Sequence, residues 1–599
     1  LGVVVRPQDA VQWALYFEPV LYQPSAGGDA TLQGTVSKSN QAFREGDLEA
    51  ALDAIAEVDA DEVDDAGFFT YRASLLLAAS NIDQAGADIE RALELDPGSS
   101  DALALHAVIA VAGNESDAAL AAAERAVAAD PQSATAQSAM SSAKQSVFDL
   151  DGVRAALEQA VAHDADNALA WARLSEVRLA FGKTSEAMGA AETAAQLEPN
   201  LARTQSVLGY AYLAQVRVGR AKEAFEKAID LDQGDPLPRL GLGLAKIRDG
   251  QLRDGAKEIE TAASLDPGNS LIRSYLGKAY YEMKMAGLDD REYGLAKQFD
   301  PNDPTPWFYQ AIAKQTANRP VEALRDMSQA IELNDNRAIY RSRLLLDSDL
   351  AARSSSLGRI YGDLGFQSRA LVEGWNSINA DPGNYSAHRL LADSYAALPR
   401  HEIARVSELF QSQMLQPTNT TAIQPRLAES NLALVSGQGP ASLSFNEFNP
   451  IFNRDQVRAQ ITGSYAEDNT WLGEAIVSGI AGKFSFSAGY SSSQTDGWRE
   501  NSDLEDEIAN VFMQLELSPK TSIQGEYRYR EDELGDITLR FFDDDFFAGE
   551  RNTVERQTGR LGLRHAFSPS SILLASVQYI DSESSFVDED LGFLFTYFG

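Results

Sequence analysis

Residues 202–235 decide the fold of this chain, and their sequence is ARTQSVLGYAYLAQVRVGRAKEAFEKAIDLDQGD. Its Ala-rich helical pattern ends in Asp232-Gln233, a variant of an Asp-Pro pair that closes similar stretches on either side. Pro cannot continue a helix, so each pair predicts a helix end. A fixed period of this length predicts two antiparallel helices per unit. The closing pairs, each 34 residues after the one before, are Asp96-Pro97, Asp130-Pro131, Asp164-Ala165, Glu198-Pro199, Asp232-Gln233, Asp266-Pro267, Asp300-Pro301 and Asn334-Asp335.

The interior of the quoted unit follows a recognisable arrangement of small and large residues. Leu208-Gly209, Tyr212, Ala221 and Phe225 stand at the positions where the tetratricopeptide pattern has Leu-Gly, Tyr, Ala and Phe. The chain therefore resembles tetratricopeptide repeat proteins, which implies an α-solenoid. In such units small residues let two helices approach closely, and large ones fill the space between units. The alternative is an unrelated Ala-rich helical bundle.

The period also predicts the domain organisation. After Asn334 the next closing pair, Asp381-Pro382, follows only after 47 residues, which places an insertion between them. Gly437, Gly439 and Pro440 indicate a linker before the composition changes. The predicted segments are a remnant or linker at 1–30, a degenerate first repeat at 31–65, the regular array at 66–335, the insertion with further repeats at 336–423, the linker at 424–452 and a β region at 453–599.

The β region is predicted from strict alternation of apolar and polar residues. In 522–530, Ile523, Tyr527 and Tyr529 alternate with polar side chains, so the two sets point to opposite faces of a strand. Similar segments recur, separated alternately by tight turns and long polar loops. Spacing of this kind is typical of an antiparallel outer-membrane β-barrel. A soluble β-sandwich is the alternative, and the pattern leaves open whether the barrel closes within this chain or is truncated.

Several short stretches resemble a bacterial family with a FecR-like head, a tetratricopeptide array and a C-terminal porin-like barrel. Residues 6–17 are similar to the segment that follows the FecR-like domain, so residues 1–30 would follow a missing domain of that kind. The resemblance is strongest over 337–542, with Asn384–Arg389, Pro399–Val406 and Ser444–Pro450 the most specific. It implies an envelope location. The layout is also similar to exporters of poly-N-acetylglucosamine and cellulose.

Composition limits the function. The 51 basic and 88 acidic residues give a formal net charge of -37, which disfavours nucleic acid as a partner. There is no Cys, so thiolate chemistry is excluded, and the five His residues show no metal-ligand spacing. No nucleophile or phosphate-loop motif occurs. We therefore predict no enzymatic activity, no cofactor and no metal site.

Two sets of side chains are candidates for binding a partner. The first would line the concave face that stacked helix pairs expose; for its two tyrosines the alternative is packing between helices. The second is a basic cluster in the insertion, suited to an anionic partner or lipid headgroups; the alternative is salt bridging to neighbouring carboxylates. The first set is Gln205, Tyr212, Arg239, Lys246, Arg273 and Tyr280, and the second is Arg337, Arg341, Arg343, Arg353 and Arg359.

The sequence thus predicts an outer-membrane protein with a periplasmic scaffold. The scaffold would bind a protein or polysaccharide, in export or assembly of surface material, and outer-membrane lipid would surround the barrel. The alternative is a soluble envelope adaptor for protein-protein interactions, whose β region is a non-membrane domain.

Overall fold

A computed structural model describes most of the chain. It covers residues 30–44, 48–56, 58–79, 81–339, 342–396, 401–418, 454–539, 545–588 and 593–598, with Tyr22, Leu398, Phe452 and Phe542 as single residues. Most of the predicted 1–30 segment and of the 424–452 linker lies outside these residues, as do Pro399, Arg400 and Ser444–Pro450.

The helical part is a succession of antiparallel helix pairs. Its helices are α1 (Ala30–Arg44), α2 (Leu48–Ala56), α3 (Ala66–Ala78), α4 (Ile82–Leu95), α5 (Ser100–Ala112), α6 (Ser116–Ala129), α7 (Ala134–Ser146), α8 (Leu150–His163), α9 (Ala168–Ala180), α10 (Thr184–Leu197), α11 (Ala202–Ala214), α12 (Val218–Leu231), α13 (Pro236–Arg248), α14 (Leu252–Leu265), α15 (Ser270–Glu282), α16 (Leu288–Phe299), α17 (Pro304–Thr316), α18 (Pro320–Glu332), α19 (Arg343–Asp363), α20 (Gln367–Ala380), α21 (Tyr385–Ala396) and α22 (Glu402–Leu415).

The 34-residue period is confirmed helix by helix. The first helices α5, α7, α9, α11, α13, α15 and α17 begin at residues 100, 134, 168, 202, 236, 270 and 304. The Asp of each closing pair explains part of this regularity. Oδ1 of Asp96 and of Asp130 accepts a hydrogen bond from the amide of the residue two positions later, at 2.9 Å in both cases. Asp300 accepts the equivalent hydrogen bond at 3.0 Å. This Asx turn reverses the chain before the next helix starts.

Close approach of two helices holds each pair together. A Cβ on Gly209 would lie 2.6 Å from the ring of Phe225, and one on Gly277 would lie 2.7 Å from the ring of Tyr293. Only glycine leaves room for these rings, both of which are fully buried. The Gly of Leu208-Gly209 and of Leu276-Gly277 is therefore a packing requirement, and the aromatic residue 16 positions later fills the space.

After α18 the pattern changes, as the sequence predicts. A 3₁₀ helix at Asn334–Ile339 precedes α19, which has 21 residues where most first helices have 13. The pairs α19–α20 and α21–α22 then follow. A Cβ on Gly358 would lie 2.5 Å from Leu390, so close packing between helices resumes beyond the insertion.

The C-terminal region is a single antiparallel sheet of eight strands in chain order. They are β1 (Gln456–Tyr465), β2 (Trp471–Ala481), β3 (Phe484–Thr495), β4 (Leu504–Ser518), β5 (Thr521–Leu534), β6 (Glu550–Ser568), β7 (Ser571–Asp588) and β8 (Phe593–Phe598). Each strand pairs with its chain neighbours. In the described residues β1 and β8 stay unpaired with each other, so the sheet is open where the sequence analysis expected a barrel.

The chain divides into two compact units. The first comprises residues 1–214, 223–238 and 335–346, and the second comprises 215–222, 239–334 and 347–599. The second unit therefore contains the sheet as well as several helix pairs. Among the described residues, no helix combines the length and the apolar character needed to cross a lipid bilayer.

The packing requirement at Gly277 can be tested by substitution. Gly277→Ala forces the buried ring of Tyr293 to move, and we expect a loss of about 1–3 kcal/mol of stability, as for other overpacked cores. Gly294→Ala is the matched control, because it lies in the adjacent helix α16 and nothing lies within 4 Å of the place that its Cβ would occupy. That substitution should leave stability equal or raise it by about 0.5–1 kcal/mol. Urea unfolding followed by circular dichroism measures both; equal midpoints would contradict the packing argument.

Candidate functional site

The members of the first candidate set are divided between the two units. Gln205 and Tyr212 lie in the first unit. Gln205 is buried, and its Nε2 donates to the carbonyl of Pro199 at 2.9 Å. Tyr212 packs against a core that includes Met188 and Val207, which agrees with the alternative of packing between helices.

The four members in the second unit are all engaged by carboxylates of second helices. Arg239 Nη1 and Lys246 Nζ donate to the two oxygens of Glu258 at 2.9 and 2.8 Å. Arg273 Nη1 donates to Glu292 at 2.8 Å, and Tyr280 donates to Glu260 at 3.0 Å. These contacts connect first helices to second helices. That the six residues bind a partner stays a prediction.

The electrostatics of these contacts follow from their partial burial. Burial raises the pKa of Glu258, but hydrogen bonds and charge from Lys246 and Arg239 outweigh it and hold the pKa below the ordinary value of 4.5. Burial, with the hydrogen bond to Glu260, raises the pKa of Tyr280 to about 12. Both groups therefore keep their neutral-pH charge state across the physiological range.

The members of the basic cluster are divided between the two units as well. Arg337 and Arg343 belong to the first unit, Arg353 and Arg359 to the second, and Arg341 lies outside the described residues. Arg343 is exposed and lies 3.6 Å from Asp335, as the salt-bridge alternative expects. Arg353 is buried and donates to Asn334, and Arg359 donates to the carbonyl of Ser386 at 3.4 Å. Binding of an anionic partner by these residues stays a prediction.

The sheet has two faces of opposite character. The exposed face carries large apolar side chains on adjacent strands, brought together by the register: Val511 pairs with Tyr527, Ile523 with Leu563 and Leu561 with Val577. A water-soluble sheet usually buries such a face. Exposed members are Val457, Ile461, Tyr465, Val477, Tyr490, Val511, Met513, Leu515, Leu517, Ile523, Tyr527, Leu561, Phe567, Leu573, Val577 and Tyr579.

Tyrosines mark the end of this apolar face that is remote from the tight turns. Tyr490 donates through its hydroxyl to Glu507 at 2.9 Å, Tyr527 to Gln557 at 3.2 Å and Tyr529 to Glu531 at 2.7 Å. The ring of each tyrosine thus lies on the apolar face, and its hydroxyl donates a hydrogen bond to a polar residue. Beyond this row the strands continue with polar and charged side chains on both faces.

The opposite face, which we call the inner face, is mostly polar; its side chains are buried on β3 and β4 and exposed on most of β1 and in the middle of β7. Arg560 donates to Glu526 at 2.6 Å, and Glu526 also accepts from Asn510 at 2.9 Å. The end of α22 packs against this face: Gln514 donates to the carbonyl of Gln416 at 2.8 Å, and Arg560 donates to Gln413 Oε1 at 2.7 Å. The helical region and the sheet are therefore joined within the second unit by polar contacts.

A third surface was missed by the sequence analysis. It is formed by side chains of α13 and α15 that contact the short segment before β1. We call these residues the docking groove; they are Arg248, Tyr275, Lys278 and Glu282. The segment contributes Phe452, Arg454 and Asp455. One signal was available: Lys278 and Glu282 are one helical turn apart and stand at positions other than those of the repeat pattern. The sequence could not predict which segment contacts Lys278 and Glu282, because Arg454 and Glu282 are about 170 residues apart.

Comparison with known proteins supports the repeats. A family model described as tetratricopeptide repeat matches residues 70–134, and another with the same description matches residues 202–235. The chain therefore contains tetratricopeptide repeats, which form a scaffold of the protein-interaction type. None of the curated proteins matches the chain. These matches carry neither the FecR-like nor the exporter resemblance, and both stay predictions.

Several solved structures are similar to this chain at low sequence identity. The APC/C hetero-tetramer Cut9-Hcn1 is 16% identical, covering 69% of this chain and 88% of that chain with a TM-score of 0.41. The human IFIT1 dimer with PPP-AAAA is 14% identical, covering 68% and 93%, also at 0.41. TTC0263, a thermophilic TPR protein of Thermus thermophilus, is 21% identical, covering 30% and 98% with a TM-score of 0.28.

The contacts of Glu258 predict a pH-dependent contribution to stability. Glu258→Gln leaves Arg239 and Lys246 without their carboxylate, and we expect a loss of about 1–2 kcal/mol at pH 7. Because the pKa of Glu258 is lowered by folding, the wild-type advantage is full above pH 4.5 and is lost as pH falls through the folded-state pKa. Urea midpoints of both proteins at several pH values measure this.

The control is Asp254→Asn on the same helix. Asp254 pairs with Lys257, but both side chains are more than 60% exposed, so its loss should change stability by less than about 0.5 kcal/mol. A constant difference between wild type and Glu258→Gln at all pH values would contradict the assigned role of Glu258.

Proposed function

We propose that this protein is an outer-membrane protein whose sheet contacts lipid through its apolar face and whose repeats form a periplasmic scaffold. The scaffold binds a protein or polymer partner, and the combination suits export or assembly of surface material. We propose a binding role and assign no reaction to the chain. The proposal rests chiefly on one observation, the exposure of the apolar face of the sheet from β1 to β7 together with burial of the polar face on β3 and β4.

That polarity is the reverse of the arrangement in water-soluble sheets. A monomeric soluble protein rarely exposes a contiguous apolar patch larger than a few hundred Å². Here exposed apolar side chains extend across β1 to β7, including Ile461, Val577 and Leu561 at 83%, 75% and 72% exposure. Lipid acyl chains would remove this surface from water, and the free energy gained would be about 25 cal/mol per Å² of apolar area.

The dimensions of the apolar band also suit a bilayer. It covers nine residues of each of four adjacent strands, at 509–517, 521–529, 559–567 and 571–579. A membrane-spanning strand tilted by about 45° needs about 9–11 residues. The band begins at the tight turns Ser518–Thr521 and Ser568–Ser571 and ends at the tyrosine row, where amphipathic rings are favoured at a lipid–water boundary.

The inner face supports a hydrophilic role for the side of the sheet away from lipid. The hydroxyls of Ser485, Ser487 and Ser491 are buried and have no hydrogen-bond partner among the described residues. Buried polar groups of this kind are normally satisfied by water or by a polar ligand. Such a surface is consistent with lining a water-containing space, and it is inconsistent with a dry soluble core.

The membrane assignment is tested by charge placed inside and outside the band. Leu561→Arg introduces a cation within it, at an expected cost of about 2–4 kcal/mol if the site lies near the bilayer midplane. Thr553→Arg, on the same strand and the same face but beyond the tyrosine row, should cost about 0–1 kcal/mol. The measurement is the yield of membrane-extracted protein that migrates differently with and without boiling on a denaturing gel.

We expect wild type and Thr553→Arg to give the heat-modifiable species and Leu561→Arg to lose most of it. Absence of wild-type protein from the membrane fraction would refute the proposal and favour the soluble adaptor. Equal yields for the two arginine variants would show that the band does not contact lipid.

A further inference from the structure

The docking groove holds its segment by three different kinds of contact, and the first is aromatic. Phe452 is only 4% exposed and stacks on Tyr275, with ring centroids 6.1 Å apart and planes 21° apart. The ring of Tyr275 also packs against the ring of Tyr309, with centroids 6.2 Å apart. The Lys278 ammonium lies 5.8 Å from the centroid of the Phe452 ring. Stacked pairs of this kind contribute beyond the area they bury.

The second contact is a buried arrangement of three charges. Lys278 is 3% exposed, and its Nζ donates to Glu282 Oε1 at 2.8 Å. Arg454 of the segment donates to the other oxygen, Oε2, at 3.2 Å. Burial raises the pKa of Glu282, but Lys278 and then Arg454 outweigh it and hold that pKa below its ordinary value. Glu282 thus presents one oxygen to its own helix and one to an incoming cation.

The third contact combines backbone and charge at the end of α13. The Asp455 amide donates to the carbonyl of Arg248 at 3.1 Å, which satisfies one of the carbonyls that a helix end leaves unpaired. Arg248 is 3% exposed and lies 3.6 Å from the Asp455 carboxylate, which also accepts from Gly482 at 2.7 Å. Gly250, at φ +85°, lets the backbone of the segment approach, since a Cβ there would lie 3.1 Å from Asp455 O.

We propose that the docking groove is a binding site for a peptide with an aromatic residue, a cation two positions later and an acid next to the cation. In this structure the chain's own segment occupies the site. A partner protein that carries such a segment would displace it. This proposal deepens the scaffold half of the proposed function and is independent of the membrane half.

The contacts favour an exchangeable occupant over a permanent core. Lys278 and Glu282 remain a neutral ion pair when Arg454 leaves, whereas Arg248 loses the Asp455 carboxylate 3.6 Å from it, so a displacing peptide must supply an acid at that position. Among the described residues of the segment, three side chains and one amide carry the recognition. The occupant is also followed directly by β1, which begins at Gln456, so displacement would change the start of the sheet. Binding of a partner to the repeats would then be transmitted to the β region.

The experiment uses the full chain and a fluorescent peptide with the sequence of residues 450–456, PIFNRDQ. Wild type should bind it weakly, because a tethered segment competes at an effective concentration of about millimolar. Replacing both segment residues, Phe452→Ala with Arg454→Ala, should tighten binding at least tenfold. Adding Glu282→Gln to that variant should reverse the gain, whereas adding Lys257→Ala, an exposed control, should not. Fluorescence anisotropy gives the dissociation constants.

A second measurement does not depend on the variants folding. Excess peptide added to wild type should speed hydrogen exchange at the Asp455 amide, which donates to Arg248, and a peptide with Ala in place of Phe and Arg should not. The proposal is overturned if a folded double variant binds no more tightly than wild type, or if exchange at Asp455 is unchanged by peptide. The contact would then be a fixed structural one, and the heat-modifiability result would stand independently.

Discussion

Close approach between the two helices of a repeat is the constraint on which the helical region depends. A single helix pair cannot bury its own apolar surface, so stability comes from stacking one pair on the next. Gly209 against Phe225 and Gly277 against Tyr293 show how this is achieved: one side chain is absent so that a ring can fill the space. Gly209 and Gly277 are 68 residues apart, which is two periods of 34, so the same close contact recurs in register with the repeat.

The sheet obeys a different constraint, the two-residue period of a strand. Since alternate side chains point to opposite faces, a strand with apolar residues at every second position must present them all on one side. Pairing in register then joins these rows across seven strands. The helical region covers part of the polar face and leaves the apolar face exposed. Arg560 illustrates this, because it contacts Glu526 on the sheet and Gln413 and Phe410 on α22.

Among the described residues of the second unit, the two regions meet at the inner face and at the docking groove, and both junctions combine polar and apolar contacts. At the inner face, a Cβ on Gly562 would lie 2.7 Å from the sulfur of Met414. Gly562 is therefore required for α22 to pack against the sheet. At the docking groove, Arg248 and Glu282 hold the segment that leads into β1. A small junction with several polar contacts is easier to rearrange than a large apolar core, which is why we place partner recognition at the docking groove.

The sequence by itself determined the repeats, their helix boundaries and the two faces of the strands, because these depend on local periods of 34, 3.6 and 2 residues. It also located the irregularity after Asn334, since a broken period is visible without coordinates. Only the tertiary structure decided the partners of Arg239, Lys246, Arg273 and Tyr280, the open order of the sheet, and the docking of Phe452 and Arg454 against α15. These depend on contacts between residues from 12 to more than 170 positions apart, for which spacing along one chain carries no signal.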